Sequence, residues 1–354
     1  MMRVDRCFAG RAGSDSGFSL IELTVSLMLT LVITGAAVSI VTPGTTSGRV
    51  EPEVVDVQQR ARVALDAIAR DLQAAGAGVY LGPAVGPLRR FFAPVLPRRA
   101  GLQNADAFFV ARADAITIVH VPGTVVQTAL RDPLPSAGAD LYLESPPHCV
   151  PFGVLCGLAP GASLLVFDTE GHFDLFTLTQ INVMSGRLRP WQASHPTHNY
   201  PAGAVVAEAA WHTYYLDLPN RQLRHSDGYL TDIPVVDNVV GLAFEYFGDS
   251  LPPVAPRPPL GTPNCLYDAT GSPQPGMTAL AAQGGSLAAL PLSMFGDGPW
   301  CGSGENRFDA DLLRVRMVRV ALRVQAGNVL FRAGRVPDYT VRVDVSPRNL
   351  GGQQ

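Results

Sequence analysis

The chain of 354 residues contains no lysine; all 27 of its basic residues are arginine. That absence excludes every chemistry that needs an amine side chain. A phosphate-loop NTPase, a protein kinase, a pyridoxal Schiff-base enzyme and a Ser-Lys dyad cannot be built in their usual form. Charge of either sign is sparse, with 16% charged residues and a formal net charge of -3, so there is no concentrated positive field for a phosphate backbone and no nucleic-acid partner is expected. The sequence also lacks a G-x-S-x-G elbow, an H-E-x-x-H pair and a dinucleotide fingerprint, and the chain is read as a non-enzyme with no cofactor. With 47% hydrophobic residues it is far from a disordered composition.

What the sequence does have is one long apolar run. Residues 1–17 are short, polar and weakly basic, and from Phe18 to Val41 the sequence FSLIELTVSLMLTLVITGAAVSIV is apolar apart from hydroxyls and one carboxylate. As a helix this run spans roughly 36 Å, enough to cross a hydrocarbon core of about 30 Å with some tilt. It exceeds the apolar core of a cleaved secretory signal and is followed by Val41-Thr42-Pro43-Gly44 rather than a small-x-small site. Glu22 is the anomaly. A carboxylate in lipid costs on the order of 3 kcal/mol at mid-bilayer and less near the interface, so it calls for a partner.

The residues GFSLIELTVSLML resemble the processing motif of prepilin-type proteins, the type IV pilins and type II secretion pseudopilins. The resemblance implies that 1–17 is a leader, that prepilin peptidase cuts between Gly17 and Phe18, and that the new Phe18 amine is methylated. It further implies that Glu22, fifth in the mature chain, pairs with the Phe18 ammonium of a neighbouring subunit during assembly. Opposite charges attract strongly where water is scarce, and removing one strands the other.

The membrane and assembly helix is assigned to 18–42, and Pro43, Gly44 and the Thr-Thr-Ser-Gly that follows predict a break over 43–51. An amphipathic stalk helix is predicted over 52–76, with Val54, Val57, Ala61, Ala64, Leu65, Ile68 and Leu72 in one stripe opposite Gln59, Arg60, Arg62, Asp66 and Arg70. Gly76 and Gly78 supply the stop. The run ARVALDAIARDLQAAGAGVYLG resembles the second half of the long helix in large PilW-like minor pilins and in the J-type pseudopilin.

Residues 77–354 are expected to form a mainly antiparallel β head, which makes the fold class α+β. Residues 80–110, rich in Pro and Arg, read as a surface loop. Candidate strands are 115–121, 163–169, 173–181, 204–209, 212–218, 239–247, 312–325 and 339–345, β-branched runs mostly separated by turn residues. In the Arg-rich strand Val315, Met317 and Val320 alternate with Arg314, Arg316 and Arg319, which suits a sheet with one wet face. Two long insertions, 122–162 and 249–308, are where specificity would lie. The order of apolar strands, ending in SPRNL, resembles the PilW-like head.

Loss of the leader removes Cys7 and leaves Cys149, Cys156, Cys265 and Cys301. An even number divided between the two insertions suits an oxidising compartment, with the pairings Cys149 to Cys156 and Cys265 to Cys301. Zinc-type Cys spacing is absent. His195 and His198 beside Trp191 and Tyr200 read as a surface loop, and Asp168, Glu170, His172 and Asp174 as hairpin surface. Glu305, Asp309 and Asp311 cluster without an Asp-x-Asp-x-Asp-Gly calcium loop, and no metal site is assigned.

The expectation is a PilW-like minor pilin with a structural role in a type IV pilus-like filament. Its partners would be other pilins or pseudopilins, prepilin peptidase and, before assembly, inner-membrane lipid. The single-pass chain would hold its head in the periplasm and reach the cell surface on assembly. A J-type minor pseudopilin of type II secretion, or a bitopic periplasmic binding or hydrolytic domain, are the alternatives.

Overall fold

The structure is a computed structural model. It describes residues 17–77, 92–101, 104–122, 127–136, 140–144, 158, 160–168, 173–182, 187–190, 196, 198–228, 230–254, 257, 260–261, 263–282, 287–302, 307–327 and 338–350, with the side chains of 41–52, Gln127 and Pro190 excepted. The chain divides into two units, 1–55 and 56–354.

Helix α1 spans Leu20–Ala74. In its apolar first part, Thr24, Ser26, Thr30 and Ser39 donate their hydroxyls to the carbonyls of Ile21, Leu23, Ser26 and Ala36 at 2.7–2.9 Å. Such back-bonding satisfies the polar side chains within the helix itself, as an apolar surrounding requires. The predicted break over 43–51 does not form, and α1 is continuous there. Pro43 removes one N–H, but extending an existing helix needs only propagation, whereas ending and restarting it would need a second costly nucleus.

In the second unit the predicted stripe is buried at Val57, Ala61, Ala64, Leu65, Ile68 and Leu72. Val54 departs from it and lies exposed. The helix ends as predicted at Gly76, whose φ of +74° is open to glycine at little cost. Its N–H donates to the Val119 carbonyl at 3.0 Å. The C-terminal SPRNL segment covers this end: Asn349 Nδ2 lies 3.4 Å from the Ala75 carbonyl, and Leu350 is buried.

The strands among the described residues are β1 (Val95–Leu96), β2 (Ala115–His120), β3 (Gln127–Ala129), β4 (Leu141–Tyr142), β5 (Ser163–Phe167), β6 (Phe173–Asn182), β7 (Arg187–Pro190) and β8 (Val205–Asp217). They continue with β9 (Gln222–Ser226), β10 (Asp232–Asp237), β11 (Val239–Asp249), β12 (Leu287–Leu290), β13 (Trp300–Cys301), β14 (Phe308–Asp309), β15 (Val315–Gln325) and β16 (Asp338–Val345). Every ladder among the described residues is antiparallel. The α+β expectation, an N-terminal helix with a mainly antiparallel β domain, therefore holds.

The larger sheet is organised by β8. The first part of this strand pairs with β3 and β5, and the second part with β2 and β9. The two segments predicted at 204–209 and 212–218 are thus one strand, because the intervening Ala210 and Trp211 stay in the β2 ladder. Alternation places side chains of β5, β6 and β8 in two cores. Leu165, Phe167, Leu175 and Ala207 join α1 in the main core, while Leu164, Val166, Phe176 and Val206 pack with Leu130, Leu141 and Tyr200 in a second one.

A four-stranded sheet has the order β12-β11-β15-β16, and β13 and β14 form a two-stranded one. Val318, Val320, Leu322 and Val324 of β15 are buried, while Arg323 is exposed and Arg319 pairs with Asp344 at 2.7 Å. One wetter face is confirmed, but its start is displaced. Arg314 belongs to a 3-10 turn over Ala310–Arg314 and is fully buried, and Met317 is half-buried. A register shift at Phe247/Gly248 accompanies that change. A Cβ at Gly248 would collide with the Arg314 carbonyl.

The surface-loop reading of 80–110 fails at 92–98 and holds at 104–110, which are irregular and mostly exposed. Phe92 to Arg98 are buried, and β1 pairs with β2. Phe92 meets Phe173, Trp211 and Phe308 edge-to-face at 5.2–6.0 Å, so its apolar burial outweighs the turn-forming prolines around it.

Candidate functional site

Gly17, Phe18 and Glu22 sit together at the start of α1. Gly17 and Phe18 precede the helix, and its first backbone bond runs from Leu23 N–H to the Ser19 carbonyl at 3.1 Å. Nothing lies within 4 Å of the position a Cβ would take at Gly17, and Phe18 is 82% exposed. Glu22 lies in the first turn, where its carboxylate complements the unpaired N–H groups of the helix end. The residues Leu20–Ile40 are long and apolar enough to cross a membrane, and none of the span is buried within the protein.

In the second unit, Cys265 and Cys301 form the expected disulfide, with Cα atoms 5.0 Å apart. The expected Cys149 to Cys156 pair lies outside the described residues, as do His195, Trp191, Glu170, His172 and Glu305. His198 is exposed, but its neighbour Tyr200 is not a surface residue. It is buried in the second core and donates its hydroxyl to Asp174 at 2.8 Å. Asp168 and Asp174 are likewise largely buried rather than hairpin surface. A phenol donor satisfies the Asp174 carboxylate and lets it leave water.

Asp309 and Asp311 come together with Asp297, their carboxylate oxygens lying within 4.8 Å of one another. Asp309 caps the 3-10 turn, accepting from Asp311 N–H at 2.9 Å and Gly298 N–H at 2.7 Å. Burial pushes its carboxyl up to about 6. Asp311 is pushed up to about 7 by burial, against the pull of Arg314, whose Nε lies 2.7 Å away. Arg314 Nη1 and Nη2 have no hydrogen-bond partner among the described residues, and burial lowers the guanidinium pKa.

A second polar cluster escaped sequence reasoning. His120 ends β2, His212 and Tyr214 lie on β8, His225 lies on β9 and Asp71 lies near the end of α1. The ladders pair Ile118 with His212 and Tyr214 with His225, so all four sheet residues share the face covered by α1. His212 Nδ1 lies 2.9 Å from His225 Nε2 and 3.3 Å from Asp71 Oδ2. Tyr214 donates to the same Asp71 oxygen at 2.6 Å. The ring of His120 stacks on His212 at 5.3 Å. Burial, and then the neighbouring His212, hold His120 and His225 below the usual imidazole range. Strand parity was the available signal: His120 and His212 occupy the inward positions of runs whose other inward residues are Ile116, Ile118, Tyr214 and Leu216.

Comparison with protein-family models, with curated proteins and with solved structures finds no match for this chain.

Proposed function

We propose that the chain is a prepilin-type subunit, a large PilW-like minor pilin cleaved between Gly17 and Phe18 and incorporated into a type IV pilus-like filament. One observation carries this reading. The Gly17-Phe18 bond lies in an uncrowded segment directly before the apolar span Leu20–Ile40, no part of which is buried and whose first turn carries its only carboxylate, Glu22. A plain membrane anchor has no use for a charge there, whereas a filament subunit does.

In this reading the apolar first part of α1, Leu20–Ile40, holds the subunit in the inner membrane before assembly, with the β head in the periplasm. On extraction, Glu22 meets the Phe18 ammonium of a neighbouring subunit, and the attraction in a water-poor environment sets the axial register. The work of withdrawal comes from an ATPase elsewhere, since this chain has no lysine with which to build a phosphate loop.

The test is intact-mass and N-terminal analysis of the protein from cells with and without prepilin peptidase. Loss of 1–17 with gain of one methyl only when the peptidase is present supports the proposal. An uncut Gly17-Phe18 bond in both backgrounds overturns it and leaves a tethered periplasmic domain.

A further inference from the structure

We infer that Asp71, His212 and His225 form a binding site for one divalent transition-metal ion of the zinc class. This is independent of the assembly role and uses none of its residues.

The argument starts from donor type. Two imidazole nitrogens and one carboxylate oxygen, each from a different element, lie within 4.8 Å of one another. An N2O set of this kind suits zinc and its neighbours, whereas calcium and magnesium prefer oxygen alone. The spacing is also right. Zinc bonds of about 2.0–2.2 Å in a tetrahedron place neighbouring ligand atoms about 3.3–3.5 Å apart. Asp71 Oδ2 to His212 Nδ1 is 3.3 Å, and His212 Nδ1 to His225 Nε2 is 2.9 Å. Two edges of such a tetrahedral face are thus close to the required length, the third, from Asp71 to His225, is held within 4.8 Å, and the two rings need part by only a few tenths of an ångström.

The surroundings fix the ligands before any ion arrives. Tyr214 donates to Asp71 Oδ2, the outer hydrogen bond that ligating carboxylates require. His120 stacks on one side of His212 and His225 on the other, at 5.3 and 5.2 Å, which sets the plane of the central ring. The side chains of Asp71 and His212 remain 17% and 26% exposed, so an ion can enter and water can fill the fourth position.

Binding forms metal–nitrogen bonds to His212 Nδ1 and His225 Nε2 and a metal–oxygen bond to Asp71, and the hydrogen held between the two rings moves through water to the ring nitrogen that does not face the ion, so both imidazoles stay neutral. The ion would join the last turns of α1 to β8 and β9, so it would stabilise the folded head.

The full chain in detergent, stripped of metal with a chelator, is titrated with Zn2+ against a chromophoric competitor. The zinc-loaded protein is then examined by X-ray absorption. The expected result is one ion per chain with two imidazoles in its coordination sphere. His225→Gln should weaken binding at least about 100-fold and Tyr214→Phe about 10- to 100-fold, since outer partners contribute in that range. His198→Gln, on the exposed loop, should leave affinity unchanged. Absence of stoichiometric binding in the wild-type chain overturns the inference, as does a spectrum without imidazole ligands or an unaltered affinity in a folded His225→Gln protein. If that variant does not fold, stoichiometry and spectrum of the wild-type chain decide.

Discussion

The Tyr214 hydroxyl donates to Asp71 Oδ2 at 2.6 Å, tying the last turns of α1 to the middle of β8. Hydrogen bonds to charged groups contribute about 1.5–3 kcal/mol. Tyr214→Phe removes this donor but keeps the ring. Urea unfolding of the metal-free chain should show a loss of about 2 kcal/mol with an unchanged slope, and a value near zero would mean that water replaces the phenol without loss.

At the helix end, Gly76 combines a φ of +74° with a close neighbour, since an added Cβ would lie 2.9 Å from Leu350 Cδ2. Gly76→Ala should therefore destabilise the head by about 1–2 kcal/mol, the cost of a non-glycine residue in that backbone region. Thermal unfolding reads this directly. Leu350→Ala in the same background should not restore the loss, because the backbone cost remains.

The Cys265–Cys301 bond closes a separation of 36 residues. In the chain-entropy treatment such a closure is worth about 4 kcal/mol. Reduction, or Cys265→Ser with Cys301→Ser, should lower the denaturant midpoint accordingly, and an unaltered midpoint would show that the insertion it crosses is held by other contacts.

Asp309 and Asp311 carry folded-state pKa values of about 6 and about 7, above the ordinary 3.8. Groups raised in this way add stability below the unfolded value and lose it as pH rises through the folded one. Between pH 5 and pH 8 this cluster, with Asp297 and Arg314 facing it, should therefore lower the stability of the head. One carboxyl shifted by about two units corresponds to roughly 3 kcal/mol. Asp309→Asn should shrink the difference in unfolding free energy between these two pH values, and an identical difference would place the pH dependence elsewhere.

For the assembly role, Glu22→Leu should leave membrane insertion intact, since it makes the span more apolar, yet reduce incorporation into filaments at least tenfold. Immunoblots of sheared filaments against membrane fractions measure this ratio. Undiminished incorporation would remove the reason for a charge in the first turn.

Much of the architecture was legible because alternation and period are local. The stripe from Val57 to Leu72 and the strands β2, β5, β6, β11 and β16 lie within one or two residues of where the sequence indicates them. Features decided at a distance were not legible. Pro43 argued for a break that propagation from both sides overrides. Arg314 continues an arginine alternation, yet the bulge beside Gly248 and the turn capped by Asp309 carry it inside. The histidines come from three strands and their acid from a helix, so only the registers Ile118 to His212 and Tyr214 to His225 reveal the cluster. The Cys265–Cys301 pairing was readable because few thiols compete, and Gly17, Phe18 and Glu22 because they are adjacent in the chain.

The position of β8 has a consequence for biogenesis. Strands β2, β3 and β5 are all made before it, and each finds its partner on it. Until Val205–Asp217 has left the ribosome, all three lack the strand they share, and the apolar β2 and β5 carry an open edge that invites pairing with other chains. A nascent chain of this protein thus passes through a long aggregation-prone interval, and stalling within β6 or β7 is where a holding chaperone would matter most.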